Sequence, residues 1–143
     1  MRIDVLGRSR LRLPRQAIRR DIRCALRFLA KRRLGRGLAG LRAIGVVALT
    51  DAESRRLNRT FRRRDRAANV LSFHYGSEAE LLVAPEFIRR EAQAAGRAVG
   101  SQLRRMVAHG LLHLADVHHE ASRSRARRFE QLEELLMERL GIQ

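Results

Sequence analysis

Cysteine, lysine and aromatic side chains are scarce in this 143-residue chain, and each scarcity closes a route. Cys24 is the sole cysteine, so no internal disulfide can form, as suits a cytoplasmic protein. Aromatic residues make up 4%, which rules out base stacking as the main way of holding a nucleic acid. No apolar run approaches the ~20 residues of a membrane span. The first residues, MRIDVLGRSR, lack the apolar stretch of a secretory signal. The expectation is a cytoplasmic protein with no membrane partner.

The hydrophobic content, 45%, is ample for a packed core, and the length suits one domain spanning residues 1–143. Charge is the dominant bulk feature. The formal net charge is +16, and of 31 lysine and arginine residues only Lys31 is lysine. Such a surface attracts polyanions and releases counterions on meeting phosphate. The alternative is a solvated arginine face produced by a G+C-rich coding bias.

Apolar periodicity outlines an α+β domain of about four strands in a mixed sheet and about five helices. Residues 2–5 start as a strand, and Pro14 opens a helix with Ile18, Ile22, Ala25, Leu26 and Leu29 on one face. "AIGVVAL" (43–49) reads as a buried strand, and Thr50 with Glu53 forms a capping box opening the next helix. "NVLSF" (69–73) and "AELLVA" (79–84) pair as strands about a turn at Gly76-Ser77. Pro85 begins a helix that Gly96 ends. A helix over 101–115 buries Leu103, Met106, Val107, Gly110 and Leu114, and a last helix over 122–140 buries Phe129, Leu132, Leu136 and Leu140. Phe61 and Phe73 are expected in the core, and Asp65, Asn69 and Ser72 are expected to hold loop and strand geometry. His74 either lines a cleft or is satisfied at a strand edge.

Four of the five histidines lie in "HGLLHLADVHH" (109–119). His109 and His113, four apart on a helix, stand on one face one turn apart, and two imidazoles so placed can share an ion. His119 joins them only if the chain leaves the helix near residues 115–117 and folds back. Asp116 tolerates such a turn. The spacing equals that of the zincin-like motif H-E-x-x-H-x-x-G-x-x-H, but its catalytic glutamate is replaced by Gly110, so peptide hydrolysis by that route is disfavoured. Glycine instead lets another backbone approach the helix. Three neutral imidazoles leave an ion an open fourth position from which it can polarise a phosphoryl oxygen. A fourth protein ligand, for which His118 is the candidate, would instead close the site into a structural one.

Two segments together resemble the YbeY family of bacterial endoribonucleases. "HGLLHLADVHH" is similar to that family's H-G-x-L-H-L-x-G-Y-D-H, and "LNRTFRRRDRAANVLSF" (57–73) to L-N-x-x-[FY]-R-x-x-D-x-P-T-[DN]-V-L-S-F. "FEQLEELL" (129–136) resembles the helix that follows the histidines. The departures are Asp116-Val117-His118 for Gly-Tyr-Asp, Ala67-Ala68 for Pro-Thr, and Ala79-Glu80 for Gly-Asp. The resemblance implies a metal-dependent, single-strand-specific endoribonuclease that matures ribosomal RNA, notably the 3′ end of the small-subunit RNA. It also implies a part in ribosome quality control, with ribosomal RNA and the ribosome as partners. It implies one zinc, or another divalent transition metal, on His109, His113 and His119, and Arg62 as the functional arginine in the facing cleft. Its guanidinium suits phosphate oxygens, and Arg59 and Arg63 are expected to join it in binding RNA. The alternatives are a non-catalytic RNA-binding ribosome-assembly factor with a structural zinc, and a metal-dependent hydrolase of another substrate.

Overall fold

The computed structural model describes residues 1–7, 11–115 and 123–143. Its elements run β1 (Arg2–Leu6), α1 (Arg15–Lys31), a 3-10 turn (Arg36–Leu38), β2 (Ala43–Ala48), α2 (Asp51–Arg62), β3 (Val70–Tyr75), β4 (Glu78–Val83), α3 (Pro85–Ala95), α4 (Val99–Leu114) and α5 (Arg123–Leu140). This is the expected α+β architecture, with four strands and five α-helices among the described residues.

Local signals set most boundaries. Thr50 and Glu53 exchange the reciprocal bonds of a capping box at the start of α2. Pro14 immediately precedes α1 rather than lying inside its first turn. Gly96 closes α3 with φ of 66°, a left-handed conformation that costs glycine nothing.

The sheet order is β1-β2-β4-β3. β1 and β2 are parallel, as are β2 and β4, while β3 and β4 form an antiparallel hairpin. β3 is therefore an edge strand. One face of the sheet presents Ile3, Val5, Ile44, Val46, Leu81 and Val83, all buried. The opposite face carries Asp4, Gly45, Glu80 and Phe73 in one register row and is far more exposed.

α4 is the axis of the molecule. It touches β3, β4, α1, α3 and α5, and Leu103, Val107, Leu111 and Leu112 are at most 1% exposed. Asp21 of α1 is buried and takes Arg104 of α4 through two bonds of 2.6 and 2.9 Å, while Arg104 also donates to the Leu140 carbonyl of α5. One guanidinium thus locks three helices, and the Asp21 bond raises its pKa further. Among the described residues, no helix is long and apolar enough to cross a membrane.

Two expectations need correction. Phe61 is 58% exposed rather than core, and Phe73 is only partly buried. The cause is topological: α2 ends at Arg62 and β3 borders the sheet, so no described element covers their rings. Gly110 does not admit another backbone. A Cβ there would instead meet side chains, Leu81 Cδ2 and Val70 Cγ2 at 3.0 Å and Ser72 Oγ at 3.3 Å.

Candidate active site

The bare edge of Gly110 brings α4 down onto β3 and β4, and Ser72 Oγ donates to the Gly110 carbonyl at 3.1 Å. This seating fixes which way the neighbouring histidines face. His109 and His113 stand one turn apart, with ring centroids separated by 4.7 Å. Phe129 of α5, itself buried, packs against both imidazoles at 5.4 and 5.1 Å.

Glu133, one turn beyond Phe129, accepts a hydrogen bond from His109 Nδ1 at 2.9 Å. With that proton on Nδ1, the lone pair of neutral His109 sits on Nε2. His113 Nε2 lies 3.0 Å from it. Two nitrogens on one tetrahedral zinc stand about 3.3 Å apart. The pair, its tautomer and its carboxylate support therefore fit a divalent transition ion bound through both Nε2 atoms. Among the described residues, no group of three His, Cys, Asp or Glu side chains converges on a point. The third expected ligand, His119, lies outside the described residues, as do Asp116 and His118.

The two histidines share a cleft of about 840 Å³ with Arg62, Arg64, Arg66 and Ser72. Among the described residues, Glu91 is the one carboxylate lining it, and Asn69 Nδ2 donates to that carboxylate at 3.1 Å. Three guanidinium groups against one bonded carboxylate make the cleft a place for an anion. Arg62 ends α2, and its Nη2 donates to the Ser72 carbonyl at 2.9 Å while its guanidinium lies 4.9 Å from the Phe73 ring centroid. The charge is thus positioned before any ligand arrives. Arg59 and Arg63, expected in the same role, are exposed but are not among the residues lining the cleft. Arg64 and Arg66 take that place, held by a loop that two buried side chains of α2 brace. Asn58 Nδ2 donates to the Arg66 carbonyl at 2.9 Å, and Ser54 Oγ bonds both the N–H and the carbonyl of Ala68.

The supporting residues behave as expected. Asp65 forms a two-bond pair with Arg55, which holds its carboxyl below the ordinary carboxylate range. Asn69 Oδ1 accepts from the Val70 N–H at the head of β3. His74 does both things foreseen for it, lining the cleft and bonding the Leu114 carbonyl at 3.2 Å. Nothing in the sequence near the histidines points to Glu133. Its one signal was its place four residues after Phe129, which only the packing of α5 on α4 makes meaningful.

Convergent imidazoles beside a preset arginine, in a cationic cleft on an α+β frame, are the equipment of an enzyme acting on an anionic substrate. Known proteins of this construction supply the more particular grouping. The family model described as Endoribonuclease YbeY matches residues 7–141. The endoribonuclease YbeY of Bordetella parapertussis is 36% identical, over 95% of this chain and 88% of its own. That of Verminephrobacter eiseniae is also 36% identical, over 99% and 86%. The Aquifex aeolicus protein of the same name is 28% identical, over 68% and 70%. The solution structure of TM1509 from Thermotoga maritima shares the fold, with a TM-score of 0.62 at 22% identity, over 96% of this chain and 88% of that one. The chain belongs to the YbeY endoribonuclease family.

Proposed function

We propose that this protein is a metal-dependent endoribonuclease specific for single-stranded RNA. Its substrate is ribosomal RNA, with maturation of the small-subunit 3′ end and ribosome quality control as its setting and the ribosome as its partner. The observation that carries the reading is the approach of His109 Nε2 and His113 Nε2 to 3.0 Å in the same cleft as Arg62. Relatives named as endoribonucleases, and a net charge of +16, support RNA as the polyanion.

His109 and His113, with His119, would hold one zinc ion. When bound, that ion supplies a fixed double charge able to polarise a phosphoryl oxygen. Glu133 keeps His109 in the tautomer that offers Nε2. Arg62, anchored on the Ser72 carbonyl, receives the negative charge that grows on the phosphoryl oxygens as water or a 2′-hydroxyl attacks phosphorus. Arg64 and Arg66 hold flanking phosphates. An unpaired strand can bend its backbone into such a cleft, whereas a duplex presents a stiff regular surface. Gly110, standing where a zincin has its glutamate, puts no carboxylate beside the histidines, which argues against peptide hydrolysis.

The test is cleavage of a single-stranded small-subunit RNA 3′ fragment and of its duplex form by wild type and Arg62→Ala. The expected result is single-strand cleavage with kcat reduced about 100- to 1000-fold in the variant. A wild-type kcat in Arg62→Ala, or equal cleavage of the duplex, contradicts the proposal.

A further inference from the structure

The chain has six aromatic residues, five phenylalanines and one tyrosine, and three of them meet at one exposed place. Phe61 of α2 contacts Phe73 of β3 edge-to-face at 5.5 Å, and Phe73 stacks with Tyr75 at 6.4 Å with an interplanar angle of 24°. Phe61 is 58% exposed and Tyr75 54%. Scattered surface apolar residues need no explanation, but a clustered aromatic strip on a chain so poor in aromatics does. Phe28 and Phe129 are buried, so the fold buries aromatic rings elsewhere.

The strip lies across the edge of β3 from the cleft, whose lining includes none of its three rings. Ser72 lines the cleft, and Phe73, the next residue, points to the other face of β3. Arg62 bridges them, one nitrogen on the Ser72 carbonyl and its plane beside the Phe73 ring. The same bond occupies a carbonyl of the edge strand, which blocks the addition of a peptide strand there. Charge orders the surroundings. Glu78 and Glu80 of β4 lie opposite Tyr75 and Phe73. On the α2 side Arg62 lies beside the Phe73 ring, and exposed Arg63 follows at the end of the helix. A strand with flat apolar bases and an anionic backbone matches both halves: bases on the rings, phosphates toward the arginines.

We propose that Phe61, Phe73 and Tyr75 form a base-stacking platform that holds the single-stranded RNA flanking the cleft. Arg63 serves the phosphates of that flank rather than those within the cleft. The proposal rests on the RNA-cleaving reading above and extends it to where the substrate strand runs. Phosphate contact remains the main source of affinity. The platform selects unpaired strands, because only their bases are free to stack.

The experiment uses the full chain and a fluorescein-labelled single-stranded RNA of about 12 nucleotides. A second copy of that RNA carries 2-aminopurine at one position after another. Phe61→Ala and Tyr75→Ala are each expected to weaken binding about five- to thirty-fold at fixed salt. They should leave the slope of log Kd against log salt unchanged, since no phosphate contact is lost. KM for cleavage rises in step while kcat stays near wild type, and the 2-aminopurine quenching seen at one or two positions disappears. Phe61→Tyr, which keeps a ring, restores binding, and Phe61→Leu, which keeps only apolar bulk, does not. Because both rings are exposed, unchanged melting temperatures are expected to verify the fold.

Alanine variants that bind and cleave RNA like wild type overturn the platform and leave the nuclease reading standing. Phe61→Leu binding as tightly as wild type overturns stacking in favour of plain hydrophobic contact. A strip whose loss leaves RNA binding intact but abolishes capture of a protein partner belongs to that partner, and again overturns the proposal. Wild-type protein that shows ring-dependent quenching yet cleaves nothing supports the platform and refutes the nuclease.

Discussion

Glu133 offers the sharpest test of how the histidine pair is held. Its carboxylate accepts His109 Nδ1–H at 2.9 Å with only 18% of its side chain exposed, and the imidazole it supports is 30% exposed. Glu133→Ala removes the one acceptor that assigns the proton to Nδ1, so His109 becomes free to turn and to protonate Nε2, the nitrogen facing His113. A hydrogen bond to a charged group at a partly buried site contributes about 1.5–3 kcal/mol. Losses from metal-supporting carboxylates are about 10- to 100-fold in affinity, which is about 1.4–2.8 kcal/mol at ~1.4 kcal/mol per tenfold. The two magnitudes agree, so the expected fall in zinc affinity is about 10- to 100-fold. Glu133→Gln keeps a carbonyl acceptor without the charge and should fall between the variant and wild type. The assay is a competitive zinc titration against a chelator of known affinity, with melting of the metal-free proteins alongside. Zinc affinity in Glu133→Ala within two-fold of wild type, in protein with an unchanged fold, would refute the reasoning, because a nitrogen aimed equally well without its carboxylate was never aimed by it.

Other outcomes follow from the same geometry. Asp21→Ala takes the carboxylate from the partly buried Arg104, which keeps only its bond to the Leu140 carbonyl, and denaturant unfolding should show a loss of about 1.5–3 kcal/mol. Cleavage per folded molecule should be retained, since this pair is remote from the cleft lining. The Thr50 N–H, before any other cause, holds Glu53 below its ordinary value of 4.5. A carboxyl lowered in the folded state adds stability fully present above that ordinary value and lost as pH falls through the folded one. Wild type should therefore melt slightly above Glu53→Gln at neutral pH, and the gap should close in acid; a gap that widens in acid would show the sign to be wrong. RNA affinity should fall steeply with salt, and a flat response in a filter-binding series would remove the arginines from the interface.

Most of the scaffold was legible because its signals are local. The capping box at Thr50, the glycine after α3 and the 3.6-residue stripes of α1 and α4 each specify their element within a few residues. The histidine pair was legible for the same reason, as i and i+4 share a helix face wherever the helix lies. The misreading of Phe61 and Phe73 as core came from long-range pairing. "LSF" looks like core until β4 inserts between β2 and β3 and leaves β3 at the edge, exposing the rings beside it. Arg59, Arg63, Arg64 and Arg66 are indistinguishable as letters. Arg63 takes a left-handed conformation with φ of 56° just after α2, and Asn58 and Ser54 brace the residues beyond it, so the chain turns Arg64 and Arg66 into the cleft. Glu133 is 24 positions from the histidine it supports, and nothing short of the α4–α5 packing joins them.

The central claim is that the imidazoles of α4 hold a metal ion that RNA cleavage requires. Zinc content by elemental analysis, taken with cleavage of a single-stranded ribosomal RNA fragment by wild type and His113→Ala, tests it most directly. About one ion per chain in wild type, lost together with cleavage in the variant and restored with cleavage when zinc is returned to chelator-stripped wild type, is the expected result. Undiminished cleavage by stripped wild type, or by a His113→Ala protein that no longer carries metal, would contradict it.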